Sequence, residues 1–505
     1  MEILSWNLNP QARSDFVGLN KLDFAVIVAY LVAITLFGLR FRRHRASLKD
    51  YFLADNRIPW WAISLSIVAA ETSTLTIISV PGLAYDKDFR FLQFIFGYVI
   101  GRIIVAFVLV PHNWRGELIT AYQLIERRFG NRLRSLTAGL FLVTRAAAEG
   151  VRVFAVAIVV RIALGSSLSG MSDYGRDVAA LAIVTVLTLV YTFEGGMTAV
   201  IWTDVVQLAL CLEGALLAVL ALLHSVPGGW ETVRSVAGAA GKFRVFDTSW
   251  SLSATYTLWS GVIGGAFFTT ASHGTDQLIV QRLLSARSET QAKWALVASG
   301  FAVLVQFTLF LLIGAVLFVF YAKFPPQVAF TRSDAIFPAF VSTQMPHGLS
   351  GLLIAAIMAA AMSNLSAALN SLSSTVIVDF YAHMAPRATE ERRVRLSRRV
   401  TAAWAVLLFA LALLARRGGR VLEMGLSIAS VAYGSLLGVF LLGILSRTAS
   451  EPGAMVGMIF GFGLNLYLWR FTSLPFTWYV VFGSMATFAS GYCATRLMNR
   501  RHQAE

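Results

Sequence analysis

The sequence predicts an all-α polytopic membrane protein, and three observations carry that prediction. The first is composition: of 505 residues, 57% are hydrophobic and only 14% charged, with a mean hydropathy of +0.68, a balance that suits a bilayer better than water. The second is spacing, because apolar runs of about 20 residues, the length that crosses a hydrocarbon core, are spread evenly along the chain. The third is the distribution of charge. Lys and Arg gather in short loops between the runs, as in Arg42-Arg43-His44-Arg45 and Arg392-Arg393-Val394-Arg395, which is how topology signals are placed.

About thirteen spans follow, near 23–41, 60–84, 91–112, 133–164, 177–194, 198–224, 254–272, 294–321, 349–382, 398–415, 423–445, 452–470 and 475–496. The spans near 133–164 and 349–382 exceed one crossing and must tilt or project. Alternate loops, beginning with 42–59 and ending with the tail, hold about 23 Lys/Arg against about 14 on the other side. That bias puts the N-terminus outside and the C-terminus in the cytoplasm, with Arg416-Arg417-Gly418-Gly419-Arg420 running against it. No basic n-region precedes the first run, so no cleaved signal peptide is expected. The net charge of +15 therefore reads as membrane topology and not as nucleic-acid binding. Cys211 and Cys493 both lie in apolar runs and form neither a disulfide framework nor a metal cluster. No HExxH, GxSxG, GxxxxGK[ST] or CxxC is present, so an enzyme and an organic cofactor are not expected.

The second span, Ile63 to Tyr85, is polar in its middle, at Glu71, Thr72, Ser73, Thr74 and Thr76. An interruption at bilayer depth is tolerated only where it is buried in protein or lines a watery cavity, and an ionisable residue there marks a functional site. Pro81-Gly82 is expected to prevent this segment from closing as one helix. The seventh span carries Gly264-Gly265, then Thr269, Thr270, Ser272 and Gly274. Interrupted segments in corresponding halves point to the binding site of a secondary transporter. Five spans separate the starts of the two, so 60–224 and 254–445 are expected to be inverted repeats. An extra helix at 23–41 and two helices at 452–496 would complete a single domain.

Three further constellations stand out. In the ninth span Ala360, Ser363, Asn364 and Ala367 fall at i, i+3, i+4 and i+7 on one face, where hydroxyl and amide oxygens suit a monovalent cation without burying a second charge. Asp204 lies about two turns past Gly195-Gly196 and is either an ion ligand or a structural acid. Arg145, Glu149 and Arg152 are spaced so that Glu149 pairs with either arginine, leaving one in excess. Arg152 is then either a substrate anchor suited to a carboxylate or half of a closed ion pair. Arg102 and Arg161 are also embedded, without an evident role.

Several stretches in order, AETSTLTIISVPGLAY, AYQLIERRFG, EGGMTAVIWTDVVQ, TDQLIVQRLLSAR and the small-residue ninth span ending in DFY, resemble the sodium/solute symporter family of sodium/glucose, sodium/proline and bacterial sodium/sialic acid transporters. The resemblance implies a LeuT-type fold of five plus five helices and sodium as coupling ion. It places sodium on the carbonyls of Ala69 and Thr72 and on Ala360, Ser363 and Asn364, the last an amide where a hydroxyl is usual. A second cation site would use Asp204, Ser363 and Ser366, but Ala367 stands at its next position, so one sodium per cycle is expected. Similarity to the sialic acid members implies Ser73, Thr76, Phe91 and Arg152 as substrate contacts, to which the seventh-span hydroxyls Thr269 and Ser272 are added. Glu71 looks instead like the acid of proline-transporting members, leaving a sugar, polyol or amino acid open. The expected function is symport of a small polar solute across a plasma (inner) membrane. A non-transporting sensor, which the short tail disfavours, a channel and a proton-coupled transporter are the rivals. Oligomeric state is not legible.

Overall fold

A computed structural model describes residues 19–40, 57–114, 122–164, 170–191, 197–326, 330–381, 384–385, 387–416 and 419–502. Helices stand at all thirteen expected spans. They are α1 (Lys21–Leu39), the bent pair α2 (Trp60–Glu71) and α3 (Thr74–Asp86), α4 (Leu92–Ile104), α5 (Asn131–Ala163), α6 (Asp173–Tyr191) and α7 (Met197–Ser225). The second half holds the pair α8 (Leu258–Gly274) and α9 (Gln277–Leu284), then α10 (Glu289–Lys323), α11 (Leu349–Thr375), α12 (Glu390–Ala415), α13 (Val421–Leu445), α14 (Glu451–Phe471) and α15 (Tyr479–His502). Among the described residues seven helices are long and apolar enough to cross a membrane, and the bent pair α2–α3 makes an eighth. The 33-residue α5 is about 50 Å long at 1.5 Å per residue, so it projects beyond a core of about 30 Å as its span length required. The basic segment Arg42–Arg45, the Gly195-Gly196 turn and Arg417-Gly418 lie outside the described residues.

The second span is broken, but not at the residues expected to break it, and the seventh is not broken within its expected bounds. In the second span the chain bends by 66° between α2 and α3, at Thr72-Ser73. There the Ser73 N–H turns back to the Glu71 carbonyl at 2.8 Å, and Ser73 is extended (φ −80°, ψ 169°). Pro81 sits inside α3 without ending it. Pro81-Gly82 instead permits close contact, since a Cβ on Gly82 would lie 2.5 Å from the Ser333 carbonyl, and one on Gly314 would lie 2.1 Å from that of Pro81. In the seventh span α8 runs unbroken through Gly264-Gly265 to Gly274, and a break at Thr275-Asp276, in the loop expected after the span, separates it from the short α9. A Cβ at Gly264 would meet the Thr477 carbonyl at 2.2 Å, and one at Gly265 the Phe94 carbonyl at 2.2 Å. These glycines let α8 lie against α4 and the segment before α15, the usual use of small residues where helices cross in lipid.

The rest of the packing follows from which faces are small and which are paired. The α2–α3 pair is enclosed by α10, α7, α5 and α13, with α11 touching α3, and α8 packs along α4. Outside this core α14 and α15 pair closely, Gly453, Gly457 and Gly461 facing Gly491 and Thr487. The extra first helix docks on α11 through Asp23, whose buried carboxylate accepts from the Gly348 and Gly351 N–H groups at 2.6 and 3.2 Å. The orphan donors at the start of α11 are thus satisfied by another helix, as a capping side chain would satisfy them.

Candidate cation site and solute cavity

The two breaks meet in the middle of the bundle. Because Ser73 turns back to Glu71, the Ala69 carbonyl loses the i+4 donor an uninterrupted helix would supply. Ala69 and Thr72 line a cavity of ≈ 10 Å³ together with Ala360 and Asn364 of α11 and with Asp204 and Gln207 of α7, which is room for one particle of water size. Gln306 of α10 holds this corner by donating to Thr72 Oγ1 at 2.7 Å. Four of the five residues expected at the sodium site therefore line one small cavity, which Ile77, Leu208 and Cys211 also border. The side chain of the fifth, Ser363, lies outside the described residues.

Asp204 borders the same space with its Oδ2 already engaged. It accepts from Ser66 Oγ at 2.6 Å and pairs with Arg282 of α9 at 3.1 Å, and Arg282 also donates to Ser66 Oγ and to the Leu278 carbonyl. Ser366 is buried but does not line that cavity. Of the residues expected at a second cation site, Asp204 lines this cavity, Ser366 does not, and the side chain of Ser363 lies outside the described residues.

Beside the break lies a larger cavity of ≈ 160 Å³. Glu71, Ser73, Thr76, Phe91, Arg152 and Ser272 all line it; Thr269 does not, being fully buried on α8. At one end Phe91 is capped by Phe307 and Tyr256, with ring centroids 5.4 and 5.2 Å away. Beyond that cap Lys87 and Tyr256 both reach Glu423, at 3.4 and 3.1 Å, and Arg420 pairs with Asp86 at 2.7 Å. On the α5 wall Glu149, 1% exposed, accepts from Arg145 at 2.9 Å and from Arg152 at 2.6 Å. The expected excess arginine is corrected here. Asp276, just before α9, stands 3.7 Å from Arg145, so two arginines face two acids. The spacing rule for one helix could not reveal a partner 131 residues away. Arg152 nevertheless keeps its Nε and Nη2 without an acceptor among the described residues, and its side chain is 31% exposed to the cavity.

These elements are a helix broken at mid-bundle, a small cavity on one side and a larger one of mixed polar and aromatic lining on the other. A family model described as the sodium:solute symporter family matches residues 51–461. The chain belongs to that family. It is 31% identical over 483 residues to the sodium/sialic acid symporter NanT of Aliivibrio fischeri, covering 93% of this chain and 92% of that protein. A solved substrate-bound, outward-open sodium-coupled sialic acid symporter superposes with a TM-score of 0.81 at 28% identity, covering 96% of this chain and 98% of that one. Mhp1, a nucleobase-cation-symport-1 family transporter in a closed conformation, shares the fold alone, with a TM-score of 0.59 at 13% identity. This protein is a sodium-coupled solute symporter of LeuT-type fold and a multi-pass membrane protein, not an enzyme.

Several of this symporter's site residues escape reading from sequence. His273, Asp276, Tyr98, Tyr433, Phe268 and Phe307 all line the cavity. Asp276 was detectable in principle, as a polar pair Thr275-Asp276 opening a helix, with its carboxylate accepting the Leu278 N–H at 2.9 Å. Its bond from the Tyr433 hydroxyl at 3.0 Å was not. Arg102 gains a partner in Glu71, with which it forms an ion pair, and Arg161 is held by Asp173 and Asp177 at 2.8 Å each.

Proposed function

We propose that this symporter binds one sodium per cycle between the α2–α3 break and α11 and carries a small carboxylate-bearing solute, such as a sialic acid, in the adjoining cavity. The observation that supports the carboxylate is Arg152. One of its nitrogens orients it on Glu149, while Nε and Nη2 keep no acceptor among the described residues and the side chain lines the cavity with Ser73 and Thr76, a fork that matches a carboxylate. Sodium would sit on the Ala69 and Thr72 carbonyls with Ala360, Ser363 and Asn364 opposite. Residues 60–224 and 254–445 act as the two inverted repeats, with the N-terminus outside and the C-terminus in the cytoplasm of a plasma (inner) membrane. Sodium and solute each favouring the same state gives coupling, and linkage makes their mutual effect equal. One sodium moving down 100 mV contributes about 2.3 kcal/mol before its concentration gradient is counted. The balance of acids and arginines favours a second reading, a zwitterion such as an amino acid, with its ammonium group on Glu71.

Thermal stabilisation of the purified protein by sodium, with potassium as control, tests this across sialic acid, short carboxylates, sugars, polyols and amino acids. A ligand of the folded state alone raises its melting temperature by mass action. The expected result is a sodium-specific rise to which one carboxylate adds only in sodium. Equal curves in sodium and potassium would refute the cation site. Arg152→Ala is expected to raise the KM for that carboxylate at least about tenfold, the loss of a charge-assisted fork, and to leave the sodium midpoint unchanged.

A further inference from the structure

Arg102 of α4 has no solvent exposure and does not line the solute cavity. Every one of its terminal nitrogens is nevertheless committed. Nη2 donates to Glu71, Nη1 donates to the Ser299 carbonyl of α10 at 3.1 Å, and Nε faces His273 Nε2 of α8 at 3.4 Å. A guanidinium at this depth needs a counter-charge, and Glu71 supplies it.

The reverse dependence concerns the solute. Glu71 is the most exposed carboxylate on the cavity wall, its side chain 20% accessible against 8% for Asp276, and it is adjacent in sequence to the break. His273 Nε2 also stands 3.2 Å from Glu71, but Arg102 is the permanent positive charge beside it, and without that charge the carboxylate would oppose an anion in a medium that screens charge poorly. With Arg102 included, the charges in and around the cavity close at four arginines (102, 145, 152, 282) against four acids (71, 149, 204, 276). Without Arg102 they do not.

We propose that Arg102 is a specificity-determining positioning residue: by cancelling Glu71 from outside the cavity, it sets the sign of the charge the cavity accepts and so admits an anion. This rests on the carboxylate reading above. The pairing also fixes geometry. Arg102 ties Glu71, the last residue of α2, to His273 near the end of α8, so both breaks share one anchor, and His273 in turn contacts Ser272 Oγ at 2.9 Å on the cavity wall.

The test uses the full-length protein in sodium, with N-acetylneuraminate and pyruvate as anionic probes, proline as a zwitterion and glucose as a neutral solute. Arg102→Met is expected to weaken the anion that wild type binds by at least about tenfold, the scale of one uncompensated like charge, and not to weaken the zwitterion or the neutral solute. Glu71→Gln combined with Arg102→Met, which buries no lone charge, is expected to return anion binding to within about threefold of wild type, a residual of under 1 kcal/mol. Anion binding by Arg102→Met equal to wild type, or a double variant no better than the single, overturns the proposal. If Arg102→Met does not reach the membrane, the double variant decides: a loss beyond about tenfold overturns the proposal. Wild type that binds proline or glucose and no carboxylate refutes the carboxylate reading, and this proposal with it. Wild type that binds a carboxylate to which Arg102→Met is indifferent refutes this proposal alone.

Discussion

The α2–α3 break and the α8–α9 break of this symporter differ in what makes them. The α2–α3 break is made by hydroxyls: Thr72 Oγ1 donates back to the Val68 carbonyl at 2.6 Å, Thr76 Oγ1 donates to the Glu71 carbonyl at 3.1 Å, and Ser73 is the extended residue between. The α8–α9 break is made by a carboxylate, Asp276, which caps α9, faces Arg145 and accepts from Tyr433. Pro81-Gly82 and Gly264-Gly265, the residues of low helix propensity in the same spans, interrupt nothing. In lipid a freed N–H or C=O costs several kcal/mol, so a helix opens where side chains can satisfy those groups, not where propensity is weakest. The difference also assigns roles. The hydroxyl break leaves the Ala69 carbonyl without its i+4 donor, where the proposed cation would sit, whereas the carboxylate break is already engaged with helices α5 and α13.

Four substitutions break or sharpen that contrast. Asp276→Ala removes a cap and leaves Arg145 one acid fewer, so it should carry the largest effect. Uptake is expected to fall at least about a hundredfold, since uncovering a buried charge costs about 3–5 kcal/mol, and membrane abundance measured alongside separates folding from transport. Gly265→Ala comes next, because its Cβ would lie 2.2 Å from a backbone oxygen that cannot move without α4. Overpacking of this kind costs about 1–3 kcal/mol, read as a lower melting temperature with the sodium midpoint kept. Asn364→Ala removes one oxygen from the cation cage and should raise the sodium midpoint about tenfold, near 1.4 kcal/mol, with potassium curves unchanged. The smallest effect is expected from Pro81→Ala. Alanine is the better interior helix residue by about 3 kcal/mol, so if Pro81 does not make the break, stability should hold or rise and sodium affinity should stay at the wild-type value. A loss of sodium affinity in that variant would restore proline as the breaker.

Much of the site was legible because an ionisable or hydroxyl residue in an apolar run is conspicuous. Glu71, Ser73, Thr76 and Arg152 announce themselves by depth alone, and helical spacing puts Ala360 and Asn364 on one face. Partners across helices were not legible. Arg102 with Glu71, Arg282 with Asp204 and Asp276 with Arg145 join residues 31, 78 and 131 positions apart, and no local period links them. Thr269 shows the opposite error. Its helix face is right for a hydroxyl ligand by composition, yet packing turns it away from the cavity.

By itself the sequence determined the class, the thirteen helices and the polar span that opens at Glu71–Thr76, because hydrophobic length and buried polarity are properties of each segment alone. The tertiary structure decided where the chain breaks, which acids are already paired and which guanidinium nitrogens keep no acceptor among the described residues. Those outcomes depend on what each side chain finds on neighbouring helices, and in a low-dielectric core a partner at 3 Å changes what a charge can do far more than its place in the chain.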